Sequence, residues 1–146
     1  MQRRVEWADT DGAGHQHFTA VLRWLEEAET CLHERLGIID RTWGHIPRVH
    51  LEVDFTARLY FRDMIDVELW VLEVGRSSAR YGFSVRRGQD VAARGSMVVV
   101  NCDSDPARGL PQEWPEDVRA ALTTGGAQLP EFLGASPIGP TPPAAT

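Results

Sequence analysis

The stretch FTAVLRWLEEAETCLHERLG, residues 18–37, sets the terms on which the rest of the chain is read. From Phe18 onward, Val21, Leu22, Leu25, Ala28, Leu32 and Leu36 recur every third or fourth position, which gathers them into one stripe of an α-helix. Glu26, Glu27, Glu29 and Glu34 fall largely off that stripe, and Gly37 supplies a C-terminal stop. The spacing predicts one long amphipathic helix. Its single apolar stripe needs a surface to lie on.

Downstream the period changes to two, which supplies that surface. Val49, Leu51, Val53 and Phe55 alternate with His50, Glu52, Asp54 and Thr56, as in a strand. Three more strand patterns follow at 65–74, 78–86 and 91–102, separated by the turn sequences FRDM, EVGRSS and RRGQD. Upstream, Val5 and Trp7 alternate with Arg4 and Glu6, a short first strand. Short connections join antiparallel neighbours. The expected class is therefore α+β: a strand, a long helix, then an antiparallel meander, with the helix across one face of a sheet of about five strands. Trp70, Leu72, Val98 and Val100 alternate onto the face opposite Leu69, Val71, Met97 and Val99. Strands apolar on both faces ask for another layer, and a second copy pairing by sheet edge or face would provide it, giving a homodimer or homotetramer.

With 146 residues, 42% of them hydrophobic and 25% charged, the chain reads as one soluble globular unit. Beyond Asp103 it becomes rich in proline. The expected division is a core at 1–103, an extension at 104–124 with a short helix in WPEDVRAALTT, and a flexible Pro- and Gly-rich tail at 125–146 that is also a candidate interaction segment. A net charge of -6 argues against nucleic-acid binding, which needs a basic face. No window approaches the roughly 20 apolar residues of a membrane span, and MQRRVEWADT lacks a signal-peptide core, so a cytoplasmic location is expected. Cys31 and Cys102 show neither metal spacing nor a disulfide framework and read as free thiols.

The segment ADTDGAGHQH, residues 8–17, precedes the helix. One reading is a well-made turn, since aspartates cap turns and glycines take positive φ. The other is chemical: the free N–H groups and positive dipole end of a helix can hold a developing oxyanion beside an acid that acts on the same carbonyl. His15 and His17 with Asp9 or Asp11 admit a metal reading, but no third histidine stands at a diagnostic spacing, and no metal is assigned. His33, His45 and His50 are assigned no role. For Glu26 and Glu27 a solvated helix face is the default, with Glu27 kept as a reserve second acid.

VEWADTDGAGHQHFTAVLRWLEEAE, residues 5–29, resembles the N-terminal signature of the hotdog-fold acyl-CoA thioesterases of the 4-hydroxybenzoyl-CoA thioesterase type, Asp-x-Asp-x-x-Gly followed by a helix with an RWLEEA-like stretch. A looser resemblance runs from Val53 to about residue 103 and includes the Asp63 turn. It implies a hotdog fold that dimerises and hydrolyses the thioester of an acyl-CoA or an acyl carrier protein. Asp11 would attack the carbonyl or activate water, the Phe18 N–H would polarise the carbonyl oxygen, Gly14 would line the substrate site, and Asp9 would shape the loop. The family places mainly apolar residues where this chain has His15, Gln16 and His17; either histidine is a candidate to bind substrate or assist proton transfer to the departing thiol. Arg76, Ser77 and Ser78 lie in the turn that contacts CoA phosphates in that family, with Arg80 and Arg86 able to extend the patch. No cofactor is implied beyond the CoA of the substrate. The competing expectations are a hotdog thioester dehydratase or hydratase, which needs a histidine paired with an acid, and a non-catalytic acyl-thioester binding protein.

Overall fold

The computed structural model describes residues 1–105 and 108–125. Five strands form a single antiparallel sheet: β1 (Gln2–Arg4), β2 (Arg48–Phe55), β3 (Met64–Val74), β4 (Ser78–Arg87) and β5 (Asp90–Val100). Among the described residues three α-helices accompany it: α1 (Ala20–Arg35), α2 (Ile39–Thr42) and α3 (Glu116–Thr124). The helix-facing side of the sheet carries Ile65, Val67, Leu69, Tyr81, Phe83, Val85, Met97 and Val99, all buried, and α1 meets it with Val21, Trp24, Leu25, Ala28 and Leu32. This is the helix-on-sheet architecture that the change of period predicts. Gly37 ends the helix at φ 70, a left-handed value that glycine adopts without a Cβ clash.

The topology departs from a simple meander. Strand order is β1-β3-β4-β5-β2, so β2 pairs with β5 and not with β3. The segment 56–63 between β2 and β3 carries the chain from one side of the sheet to the other, anchored midway by Leu59, which is fully buried and exchanges hydrogen bonds with Gln16. The first strand also differs. It lies at Gln2–Arg4 in register with Met64–Asp66, and Trp7–Asp9 form a 3-10 turn. The buried Asp9 carboxylate accepts the Glu6 N–H at 2.9 Å, which turns the chain out of the strand just where the alternation suggested it continued. Regular α-helix begins at Ala20, two residues after Phe18.

The outer face of the sheet is more polar than its alternation suggested. Trp70 is half-buried because its ring lies across Gly82, where an added Cβ would come within 2.6 Å of it. A register shift between Val71 and Glu73 makes Leu72 the extra residue of a bulge, and it is left 54% exposed. Around Trp70, Ser84 donates to Glu68 at 2.6 Å and Ser96 to Glu52 at 2.8 Å. The edge strand β2 is exposed along almost its whole length.

The extension forms α3 as its sequence predicts, and it joins the core through buried Trp114, Val118 and Leu122. Apart from Gly125, the Pro- and Gly-rich tail lies outside the described residues. Among the described residues no helix is long and apolar enough to cross a membrane.

Candidate active site

The loop from Asp9 to His17 is a miniature hairpin. The His17 N–H donates to the Asp9 carbonyl at 2.7 Å, Thr10 bridges Gln16, and the Asp11 N–H donates to the His15 carbonyl at 3.1 Å. Gly14, at φ 83, closes the tip by donating to the Asp11 carbonyl at 2.9 Å. The Asp11 carboxylate accepts the Ala13 N–H at 2.8 Å through Oδ1, an Asx turn that points the carboxylate back over the tip. Asp11 is half-buried, so it stands beside solvent without being dispersed in it. At about 3.3 Å per residue, the two-residue offset puts the Asp11 rung roughly 7 Å from the His17 rung, next to Phe18.

Phe18 and Thr19 form the turn into α1. The Phe18 N–H has no acceptor among the described residues, whereas the Thr19 and Ala20 N–H groups are both taken by His17, through Nδ1 at 3.2 Å and the carbonyl at 2.9 Å. The Phe18 amide therefore remains a free donor at the positive end of α1. The Phe18 side chain, 63% exposed, stacks on His17 with ring centroids 4.6 Å apart.

The two histidines are held in opposite tautomers. His15 Nδ1 lies 3.1 Å from the Gln16 carbonyl, which only accepts, so His15 carries its proton on Nδ1 and presents a basic Nε2. His17 Nδ1 accepts the Thr19 amide, so neutral His17 presents Nε2–H as a donor. Among the described residues neither ring is bound to a carboxylate: one holds Gln16 and the other Thr19. Among the described residues no three His, Cys, Asp or Glu side chains converge as metal ligands.

Aromatic rings flank the loop. The Gln16–Leu59 contact draws the 57–61 segment against the hairpin, leaving Tyr60 and Phe61 exposed beside it, and Trp7 packs edge-on against Phe61 at 6.3 Å. Asp63 fixes this segment by accepting the Tyr60 N–H and an Arg87 N–H, each at 2.8 Å. Tyr60 and Phe61 carry no motif in the sequence; only the crossing of 56–63 brings them beside the hairpin, through Leu59 and Gln16.

The other candidates separate. Glu27 is ion-paired to Arg3 and is not a free second acid. Arg76, Ser77 and Ser78 form the turn at the far end of β3 from Asp63, and Arg76 pairs with Glu113 at 2.5 Å. At ~3.3 Å per residue, 11 residues of β3 set that turn roughly 35 Å from the end that carries the Asp11 hairpin. Within one chain the two groups do not form one site. Arg80 on the same face approaches Glu52 at 4.0 Å.

A buried polar cluster escaped the reading of the helix. Glu29 is only 4% exposed, ion-paired to Arg48 of β2, and its Oε1 has no hydrogen-bond partner among the described residues. One turn on, buried His33 donates from Nδ1 to Thr42 Oγ1 at 2.8 Å and accepts from the Tyr81 hydroxyl at Nε2 at 2.9 Å. Burial pushes the Glu29 carboxyl up to about 7 against the pull of Arg48. Burial, reinforced by Arg48, pushes His33 down to about 4.

These shifts act on stability with opposite signs. The raised Glu29 contributes stability in full below its ordinary 4.5 and loses it as pH rises through 7. The lowered His33 contributes in full above its ordinary 6.5 and loses it as pH falls through 4. Between about pH 4.5 and 6.5 the two slopes offset. Denaturant midpoints of the native chain are expected to be nearly flat in that window from this pair, and those of Glu29→Gln to rise with pH; a variant as flat as the parent would show that Glu29 is not protonated there.

Comparisons with known proteins place this geometry in context. The sequence profile of the thioesterase-like superfamily matches residues 5–122. A 1,4-dihydroxy-2-naphthoyl-CoA hydrolase of Prochlorococcus marinus is 31% identical over 120 residues, covering 74% of this chain and 77% of that protein. The enzyme of the same name from Synechococcus elongatus is 27% identical over 125 residues, covering 78% and 92%. The crystal structure of a 1,4-dihydroxy-2-naphthoyl-CoA thioesterase from Synechocystis superposes with a TM-score of 0.71 at 23% identity, covering 84% of this chain and 93% of that one, and so agrees in fold.

Proposed function

This chain belongs to the thioesterase-like superfamily, and from that premise we propose that it hydrolyses the thioester of an aromatic acyl-CoA to the free carboxylic acid and CoA thiol. The observation that carries the reading is one short hairpin that ends on the Asp11 carboxylate at its tip and on the unpaired Phe18 N–H at the mouth of α1. Asp11 either attacks the thioester carbon, forming an anhydride that water then hydrolyses to the free acid and the regenerated carboxylate, or takes a proton from the water that attacks; the Phe18 N–H receives the developing oxyanion. In both routes the C–S bond breaks, and the thiolate leaves with little need of acid help because thiols are far more acidic than alcohols. The His17 Nε2–H is available to supply that proton. No cofactor enters beyond the CoA of the substrate. Phe18, Tyr60, Phe61 and Trp7 offer ring faces to a flat acyl group, in keeping with the naphthoyl substrates in the names of the curated relatives.

We place the active form as at least a dimer. One chain leaves these rings exposed and the outer edge of β2 without a partner strand among the described residues, with Val49, Leu51 and Phe55 showing apolar surface. Antiparallel pairing of β2 with its copy would turn the second sheet end for end. The Arg76 turn of that copy would then lie at the end of the joint sheet that carries Asp11, supplying cationic contacts to CoA that one chain holds out of reach. We assign the activity to the cytoplasm, in line with two thiols that are free among the described residues. A dehydratase is the weaker reading because, among the described residues, neither loop histidine is paired with an acid.

The test is thiol release across aromatic, short, medium and long acyl-CoAs and an acyl carrier protein. Turnover on bicyclic or monocyclic aromatic CoAs at least ~10-fold faster in kcat/KM than on aliphatic ones is expected. Preference for an aliphatic chain would overturn the aromatic assignment, and release confined to the carrier protein would overturn CoA as the carrier.

A further inference from the structure

The Asp9 carboxylate is 4% exposed, yet it is not the catalytic acid of the proposed reaction. It accepts the Glu6 N–H at 2.9 Å, the Arg23 guanidinium at 2.9 Å and the Arg3 guanidinium at 3.4 Å. Arg3 bridges onward to Glu27 and lies over the Trp24 ring, 5.5 Å from its centroid. Arg23, Trp24 and Glu27 all belong to the first turns of α1, the helix whose start offers the Phe18 N–H. The backbone of the same residue faces the other way: the Asp9 carbonyl takes the His17 N–H and forms the base rung of the hairpin. One residue thus ties the hairpin to the body of α1 through its side chain and to the entry of α1 through its backbone.

Resting on the thioesterase reading, we propose that Arg23 and Arg3, acting through the Asp9 carboxylate, are positioning residues that fix Asp11 relative to the Phe18 N–H. The hairpin is nine residues with an exposed tip of Gly12, Ala13 and Gly14, and such a loop rocks about its base unless the base is held. A misplacement of about 1 Å between attacking group and oxyanion donor costs on the order of 10²-fold in rate. Neither arginine needs to touch substrate for this. A carboxylate held by two guanidiniums and an amide cannot shift without leaving buried charge unpaired.

The experiment replaces Arg23, whose side chain is half exposed, by Met and by Lys, so that the fold is retained. In Arg23→Met, kcat on the preferred acyl-CoA is expected to fall ~10-fold or more with KM within about 2-fold of the parent, and Arg23→Lys to recover most of the loss. Amide exchange at Asp11 and Gly14, whose N–H groups close the hairpin, is expected to accelerate ~10-fold or more in Arg23→Met while core amides of β4 stay protected. Unchanged kcat together with unchanged exchange at those amides would overturn the positioning role, as would a rise in KM with kcat intact. The exchange readout does not depend on turnover. If the parent releases no thiol from any substrate, the thioesterase reading fails, and the exchange data still decide whether Arg23 holds the hairpin.

Discussion

Asp11→Asn is expected to lower kcat for thiol release by ~10²–10⁴-fold while leaving the thermal midpoint within a degree or two of the parent. The substitution keeps shape and removes charge. Asparagine retains a side-chain oxygen able to accept the Ala13 N–H, so the Asx turn at the hairpin tip survives, as do the backbone bonds of Asp11 to His15 and Gly14. What disappears is the ionised oxygen required of either a nucleophile or a base. A thiol-release assay beside a thermal melt separates the two effects. Undiminished kcat in a folded variant would remove Asp11 from the chemistry and leave the His15 Nε2 lone pair as the base to examine next. Loss of activity with a collapsed melt would instead trace the effect to the turn.

Gly95→Ala is expected to cost ~3 kcal/mol or more and to abolish any assembly built on β2. A Cβ at Gly95 would sit 2.0 Å from the Glu52 carbonyl oxygen and 2.9 Å from its carbon. Both are main-chain atoms of β2, with Val53 directly opposite Gly95, so no rotamer change relieves the contact and the strands must part. Phe83, 3.0 Å away on the other side, closes the alternative direction. Gly82→Ala makes a useful contrast, because it meets the Trp70 ring and a ring can swing toward solvent. Urea midpoints and sedimentation of both variants test the difference. A Gly95→Ala protein as stable as the parent would mean that β2 is not held against β5 as described.

The helix and strands were legible because their burial follows the 3.6 and 2.0 residue periods that the sequence displays directly. Asp11, Gly14 and the Phe18 amide were singled out through one local motif; Asp11 and Gly14 lie in one hairpin, and Phe18 follows directly after its base rung. The crossing of 56–63 was not, because an eight-residue connection does not announce which side of a sheet it will reach; only the burial of Leu59 against Gln16 decides it. Glu29 was read as a solvent residue because its burial depends on Arg48, which comes from a strand 19 positions away. Arg3 and Arg23 were invisible for the same reason: what each does is set by the place where Asp9 folds, not by its own neighbours in sequence. The bulge at Leu72 shifted the face of a residue whose alternation looked regular.

The strand order carries a consequence for the timing of assembly. The meander β3–β4–β5 is made of neighbours, as Val74 pairs Ala79 across one turn, but Gln2 waits for Asp66 and Phe55 waits for Ala93. Everything made first is thus finished last. As the chain leaves the ribosome, α1 and β2 emerge with their apolar residues uncovered, and no stable nucleus exists until β5 has been synthesised. Truncations that end before Asp90 leave β2 without β5, its sheet partner, and strip Met97 and Val99 from the face that α1 covers, and their fate in a cell is expected to be capture by chaperones or aggregation, however well formed the Asp9–His17 hairpin they contain.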